Sequence, residues 1–106
     1  MAIGRSNFQI CLLLNSREQK LTVQLYIGND LEKKNFYMLL KYKEEAETSI
    51  GQSLDWRRLN GKKTSTIDLY KICDLTKKSS QQELFAWLKD YTEKFIIFFK
   101  PIIKTL

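Results

Sequence analysis

Two stretches of strict alternation decide what this chain can become. In the first, Phe8, Ile10, Leu12 and Leu14 take every second place, with Gln9, Cys11, Leu13 and Asn15 between them. In the second, Leu21, Val23, Leu25 and Ile27 alternate with Thr22, Gln24 and Tyr26. Successive side chains of a strand point to opposite faces, so a period of two marks a strand with one apolar face. The polar segment from Asn15 to Lys20 separates the runs and reads as the turn of an antiparallel hairpin. A lone hairpin is marginal in water, so the rest of the chain has to extend and cover it.

The period then changes. Gly28-Asn29-Asp30 ends the second strand, and the Asp30 carboxylate can accept from the free N–H groups of a following helix. From Leu31 to Ile50, Phe36, Leu39, Leu40, Lys43, Ala46 and Ile50 recur at steps of three and four, which predicts one amphipathic helix closed by Gly51. Lys43 falls at the edge of the apolar stripe, stem packed and amine outward.

A second hairpin follows. Leu54, Trp56 and Arg58 alternate with Asp55, Arg57 and Leu59, and Asn60-Gly61 supplies the positive φ angles of a turn longer than two residues. The next strand, about Ser65 to Ile72, sets Ile67 and Leu69 against Asp68, Tyr70 and Ile72. Residues 74–79 read as a polar loop. Ser80 and Glu83 have capping-box spacing. A long helix then carries Leu84, Leu88, Tyr91, Phe95, Phe98 and Ile102 on one stripe, widened by Trp87 and Phe99, and Pro101 predicts an end or kink near Phe99 or Lys100. Burying six such side chains contributes on the order of 10 kcal/mol before entropy is subtracted. The order is ββαββα. It predicts an α+β fold: a two-layer sandwich, with a four-stranded antiparallel sheet and two helices on one face, formed by residues 1–106 as a single domain.

Composition narrows the function classes. With no histidine, the commonest general base and the usual zinc ligand are missing. Cys11 and Cys73 lie in or beside apolar runs and read as reduced thiols rather than a disulfide. The longest apolar run, from Phe95 to Ile103, is interrupted by Lys100 and Pro101, so no membrane span is expected, and the N-terminus does not read as a signal peptide. A cytoplasmic location is the expectation. Glu18-Gln19-Lys20 and Glu32-Lys33-Lys34 echo part of a nuclease triplet but fall in a turn and a first helical turn. Gly61-Lys62-Lys63-Thr64-Ser65 lacks the upstream glycines and the following helix of a phosphate loop. No cofactor is expected, and no catalysis of the chain's own.

The net charge is +6, and it is uneven: residues 53–78 hold seven cations against three carboxylates. Arg57, Arg58, Lys62, Lys63 and Lys71, with Arg5, are the candidate nucleic-acid-binding residues, and DNA or RNA the expected partner. Tyr26 and Tyr70 could stack on bases if they face outward, whereas the alternation of Trp56 with Leu54 sends the indole to the core. The alternative is a protein-interaction or homodimerisation module using the open sheet face, on which Cys11 and Leu13 lie. Asp55 and Asp68 are the one couple of carboxylates that strand pairing could bring together, and a balance with Arg57 or Lys71 is the simpler role.

The residues also carry a resemblance. Ala2-Ile3-Gly4-Arg5-Ser6-Asn7-Phe8, Val23-Gln24-Leu25-Tyr26-Ile27, Leu54-Asp55-Trp56-Arg57-Arg58-Leu59 with Lys62-Lys63 and Ser65, and the close from Trp87-Leu88 through Phe95 to Phe99-Lys100-Pro101 resemble the prokaryotic domain of unknown function 4268 family. The resemblance implies a domain often found C-terminal in longer proteins, some with a restriction-endonuclease-like part. It carries over no catalytic residue. Where the family pattern has arginine after the serine, this chain has Thr66.

Overall fold

The computed structural model describes residues 2–74, 76–78 and 81–106. Eight elements follow in order: β1 (Ala2–Ile3), β2 (Arg5–Asn15), β3 (Lys20–Ile27), α1 (Lys34–Leu40), α2 (Lys43–Ile50), β4 (Asp55–Arg57), β5 (Ser65–Ile72) and α3 (Gln81–Ile103). One sheet runs β1-β2-β3-β5-β4 with every pair antiparallel. The expected four-stranded sheet is β2-β3-β5-β4. The addition is β1, too short for any periodicity to announce it. Gly4, at φ +79°, turns the chain between β1 and β2, and a Cβ there would sit 3.2 Å from Ile103 Cγ2. Glycine thus lets Ile3 enter the core beside the end of α3.

Register confirms the two faces. Ile10↔Leu25↔Ile67 and Leu12↔Val23↔Leu69 are rows of one face, and Ile67 is opposite Trp56. That face meets the helices, with Phe36, Leu39, Ala46, Ile50, Phe95, Phe99 and Ile103 buried against it. The other face carries the rows Cys11↔Gln24↔Asp68↔Asp55 and Leu13↔Thr22↔Tyr70. Trp56 is half-buried on the helix side, edge-on to Phe99 with ring centroids 6.4 Å apart. The core assignment of Trp56 therefore holds.

Three local expectations change. The helix expected over residues 31–50 is two helices, with a break at Lys41 and Tyr42, where Tyr42 N–H bonds Leu39 O. An unbroken helix would carry Lys43 directly below buried Leu39; the break leaves Lys43 exposed. Pro101 does not end α3, which continues through Ile103; so close to a C-terminus, the missing N–H removes only one helical bond. In the second hairpin the positive φ angles belong to Leu59 (54°) and Gly61 (78°), not to Asn60. Lys62 N–H bonds Leu59 O, so Gly61 is the third residue of its turn, the place where a type II turn wants glycine. Cys11 and Cys73 are half-buried free thiols. The Ser80 cap and part of the polar loop after Asp74 lie outside the described residues.

Candidate functional site

The basic residues sort themselves by strand register. Ile27 is opposite Ser65 on one side and Phe8 on the other, so one end of the sheet gathers the start of β2, the loop after β3 and the loop before β5. Arg5, Arg58, Lys62 and Lys63 lie at this end, and all four are exposed. Arg57 is beside them on the open face, opposite Thr66. Lys71 is not. It pairs with Leu21, six residues along β5 from Ser65, near the other end of the sheet. Five of the six candidate cations are thus brought together, and one is left out.

The loop that carries Lys62 and Lys63 is built from outside. Asp30 is buried, and it does three things at once. Its Oδ1 and Oδ2 accept from the N–H groups of Asn35 (3.2 Å) and Phe36 (3.0 Å), capping α1 from five and six residues away. Its N–H donates to Lys63 O at 2.7 Å, and its own carbonyl accepts from Lys33 N–H at 3.0 Å. Asp30 is therefore the expected cap, for a helix that starts at Lys34 rather than Leu31. Lys33 holds left-handed φ (62°) and is itself buried, only 3% exposed. Its ammonium donates to Lys62 O (2.7 Å) and Thr64 O (2.5 Å). A buried ammonium needs such acceptors, since an unpaired one would cost several kcal/mol. Lys33 thus pins the loop by its backbone and turns its carbonyls inward.

Other contacts engage Arg58 and Arg57. The Arg58 guanidinium lies over the Tyr37 ring, 5.3 Å from its centroid, and Arg58 O accepts from buried Ser65 Oγ at 3.0 Å. Arg57 Nη1 is 3.8 Å from Asp68 Oδ2. Among the described residues, no ion pair engages Arg5, Arg58, Lys62 or Lys63. β4, which leads into the loop, is held to α2 by the Glu47 carboxylate, whose Oε2 accepts from Leu54 N–H (2.8 Å) and Trp56 Nε1–H (3.4 Å).

Asp68, on the open face beside Arg57, has a raised pKa. Burial raises its pKa above the usual 3.8, the Arg57 guanidinium opposes that, and Asp55 across the strand adds to it. Asp68 Oδ1 and Thr66 Oγ1 are buried with no hydrogen-bond partner. Thr66 is buried between Tyr26 and Arg57 in register. Of the tyrosines on the open face, Tyr26 is half-buried, and Tyr70 is exposed with the Lys20 ammonium 4.3 Å above its ring. Among the described residues, no three His, Cys, Asp or Glu side chains converge as a metal site would need. None of them forms a helix long and apolar enough to cross a membrane.

Sequence reasoning missed Lys33, Tyr37 and Glu47. Lys33 reads only as part of a first helical turn, and Tyr37 and Glu47 fall off the apolar stripe of the expected helix, so no local pattern singles them out. The acceptors of Lys33 lie 29 and 31 residues further along the chain, beyond any local pattern.

The profile of a family described as Domain of unknown function (DUF4268) matches residues 1–103. The chain belongs to this family. Comparison with curated proteins and with solved structures gives no match. The DUF4268 match spans β1 to the end of α3, so the pinned basic loop lies wholly inside the family's domain.

Proposed function

We propose that this DUF4268 domain is a non-catalytic module that binds nucleic acid through phosphate contacts at the basic end of its sheet. The observation that carries the reading is the loop of residues 58–64. Its backbone is pinned by buried Lys33 and by Asp30, while Lys62 and Lys63 stay exposed and no carboxylate among the described residues neutralises them. Cations on a fixed backbone displace counterions from phosphate without first paying to order the loop. Arg58 and Arg5 extend the patch on either side. Arg57 contributes less, because Asp68 holds it. Stacking on bases is a minor part, since Trp56 faces the core and Tyr70 lies under Lys20. A DNA-processing setting fits this reading.

The test is fluorescence anisotropy with a short duplex and single-stranded DNA and RNA at ~50 mM salt, where phosphate contacts are strongest. Binding that weakens steeply with added salt is the expected result. No affinity for any of the nucleic acids at that salt would end the proposal. Replacing both Lys62→Ala and Lys63→Ala should weaken binding at least tenfold and leave the thermal midpoint within about 2 °C, since neither side chain is packed.

A second reading makes the open sheet face a protein-interaction surface. Leu13, Tyr70 and Ile72 are exposed there.

A further inference from the structure

The outer edge of β2 is only partly used. β1 pairs with it at Gln9 and Arg5. From Cys11 to Asn15, no strand among the described residues lies on that side. One hydrogen bond shows which backbone groups face it. Gly28 N–H donates to Asn7 O at 2.7 Å, and residues 7 and 28 continue the register Phe8↔Ile27. Hydrogen-bonded pairs of an antiparallel ladder recur at every second residue. Odd-numbered residues of β2 therefore turn N–H and C=O toward β3, while Leu12 and Leu14 turn theirs to the open edge.

The side chains there are apolar on both faces. Leu12 and Leu14 are 53% and 68% exposed on the helix side, and Leu13 is 44% exposed on the other. Phe85, at the start of α3, is 67% exposed and shares with Leu14 a groove of about 190 Å³, further lined by Leu21, Leu84 and Leu88. An apolar edge strand without proline or charge is a template for another strand.

We infer that this edge pairs with the same edge of a second copy of the chain, the two β2 strands antiparallel about a twofold axis at Leu13. The pattern is self-complementary about that residue. Leu12 stands opposite the partner's Leu14 and Leu14 opposite the partner's Leu12, each an outward-facing residue against another, so four backbone hydrogen bonds form. Leu13 meets the partner's Leu13 in a non-hydrogen-bonded pair. Residues 11–15 carry no charge, so two copies with a net charge of +6 meet here without like-charge contact. Covering Leu12, Leu13, Leu14 and Phe85 on both copies removes on the order of 1,000 Å² from water, the size at which specific interfaces begin. The joint is isologous and closes at two. It leaves the basic ends of both sheets outward, and it stands whether or not nucleic acid binds there.

Sedimentation equilibrium of the full chain up to about 100 µM is the first measurement, and it should give a dimer. A monomer at every concentration overturns the inference. Leu14→Pro deletes an outward N–H and no bond to β3, so it should give a folded monomer; a folded dimer overturns the inference. If that variant does not fold, cysteine pairing decides. In a Cys11→Ser, Cys73→Ser background, Leu13→Cys should oxidise to a linked dimer, because a non-hydrogen-bonded pair sets Cα atoms about 4.5 Å apart, within disulfide reach. Leu14→Cys should not. Equal linking of the two overturns the register and the inference with it. Ile72→Lys, on the open face two strands away, should leave the dimer intact; loss of the dimer would assign it to face-to-face packing instead.

Discussion

A single buried ammonium decides how the basic loop is presented. Lys33 makes its two hydrogen bonds to carbonyls of the loop and is itself buried, so its role is positioning. Lys33→Met keeps the stem and removes the donors, leaving Lys62 O and Thr64 O without their partner. It should cost about 1–3 kcal/mol in urea unfolding. It should also raise amide exchange in residues 58–64 above that in β3, which a merely electrostatic role would not do. Asp68 makes the opposite case. Its folded pKa is raised, so the folded state binds that proton more tightly than the unfolded chain. The contribution is fully present below the unfolded value and is lost as pH rises through the folded one. Asp68→Asn removes the charged form, and the Arg57 pair it sacrifices is half-exposed and worth little. The variant should be no more stable than the parent near pH 3 and increasingly more stable toward neutral pH, read from urea midpoints. A variant less stable at pH 7 would mean that the Arg57 pair outweighs burial.

Elements were legible in the sequence where one local rule sufficed. Period two gave β3 and β5 nearly to the residue and β2 from Phe8 onward, because register there is fixed by the buried face; it missed the start of β2 at Arg5, where residues 5–7 are exposed and the alternation has not begun. The three-and-four step gave the helix layer but not its break, since the pattern from Phe36 to Ile50 reads through Lys43 as readily as around it. The Asn60-Gly61 dipeptide announced a turn, yet the backbone put the left-handed residue at Leu59, because Lys33 and Asp30 draw residues 62–64 inward. β4 shows the same dependence on distant partners. It has three residues on a sheet edge, and its Trp56 is fastened by Glu47 of α2 as well as by β5. Glu47→Ala leaves Leu54 N–H and the indole N–H unpaired, a loss of about 1–3 kcal/mol. Hydrogen exchange should show it first in residues 54–57, with β3 unchanged. Uniform loss of protection would instead mean that β4 and the central strands open together.

At the scale of the whole molecule, Arg5, Arg58, Lys62 and Lys63 lie at one end of the sheet and the exposed Leu12, Leu13 and Leu14 lie toward the other. The excess of cations in residues 53–78 is visible in composition, but composition cannot separate Lys71 from Lys62 and Lys63, nine and eight residues earlier in the chain. Strand pairing does. Lys71 stands opposite Leu21, six residues along β5 from Ser65, while Lys62 and Lys63 lie in the loop itself. The placement makes a comparison that sequence alone could not frame. For duplex DNA the logarithm of the binding constant falls with the logarithm of salt by about 0.9 per phosphate neutralised. Removing Lys62 and Lys63 together should therefore reduce that slope by about 2, each lysine releasing about one counterion. Lys71→Ala removes the same formal charge as either single variant and should leave the slope unchanged, with affinity altered less than twofold at ~0.15 M salt, where the Debye length is about 8 Å. Equal effects from Lys71 and from the loop lysines would show that attraction follows net charge, and that the pinned loop confers no local site.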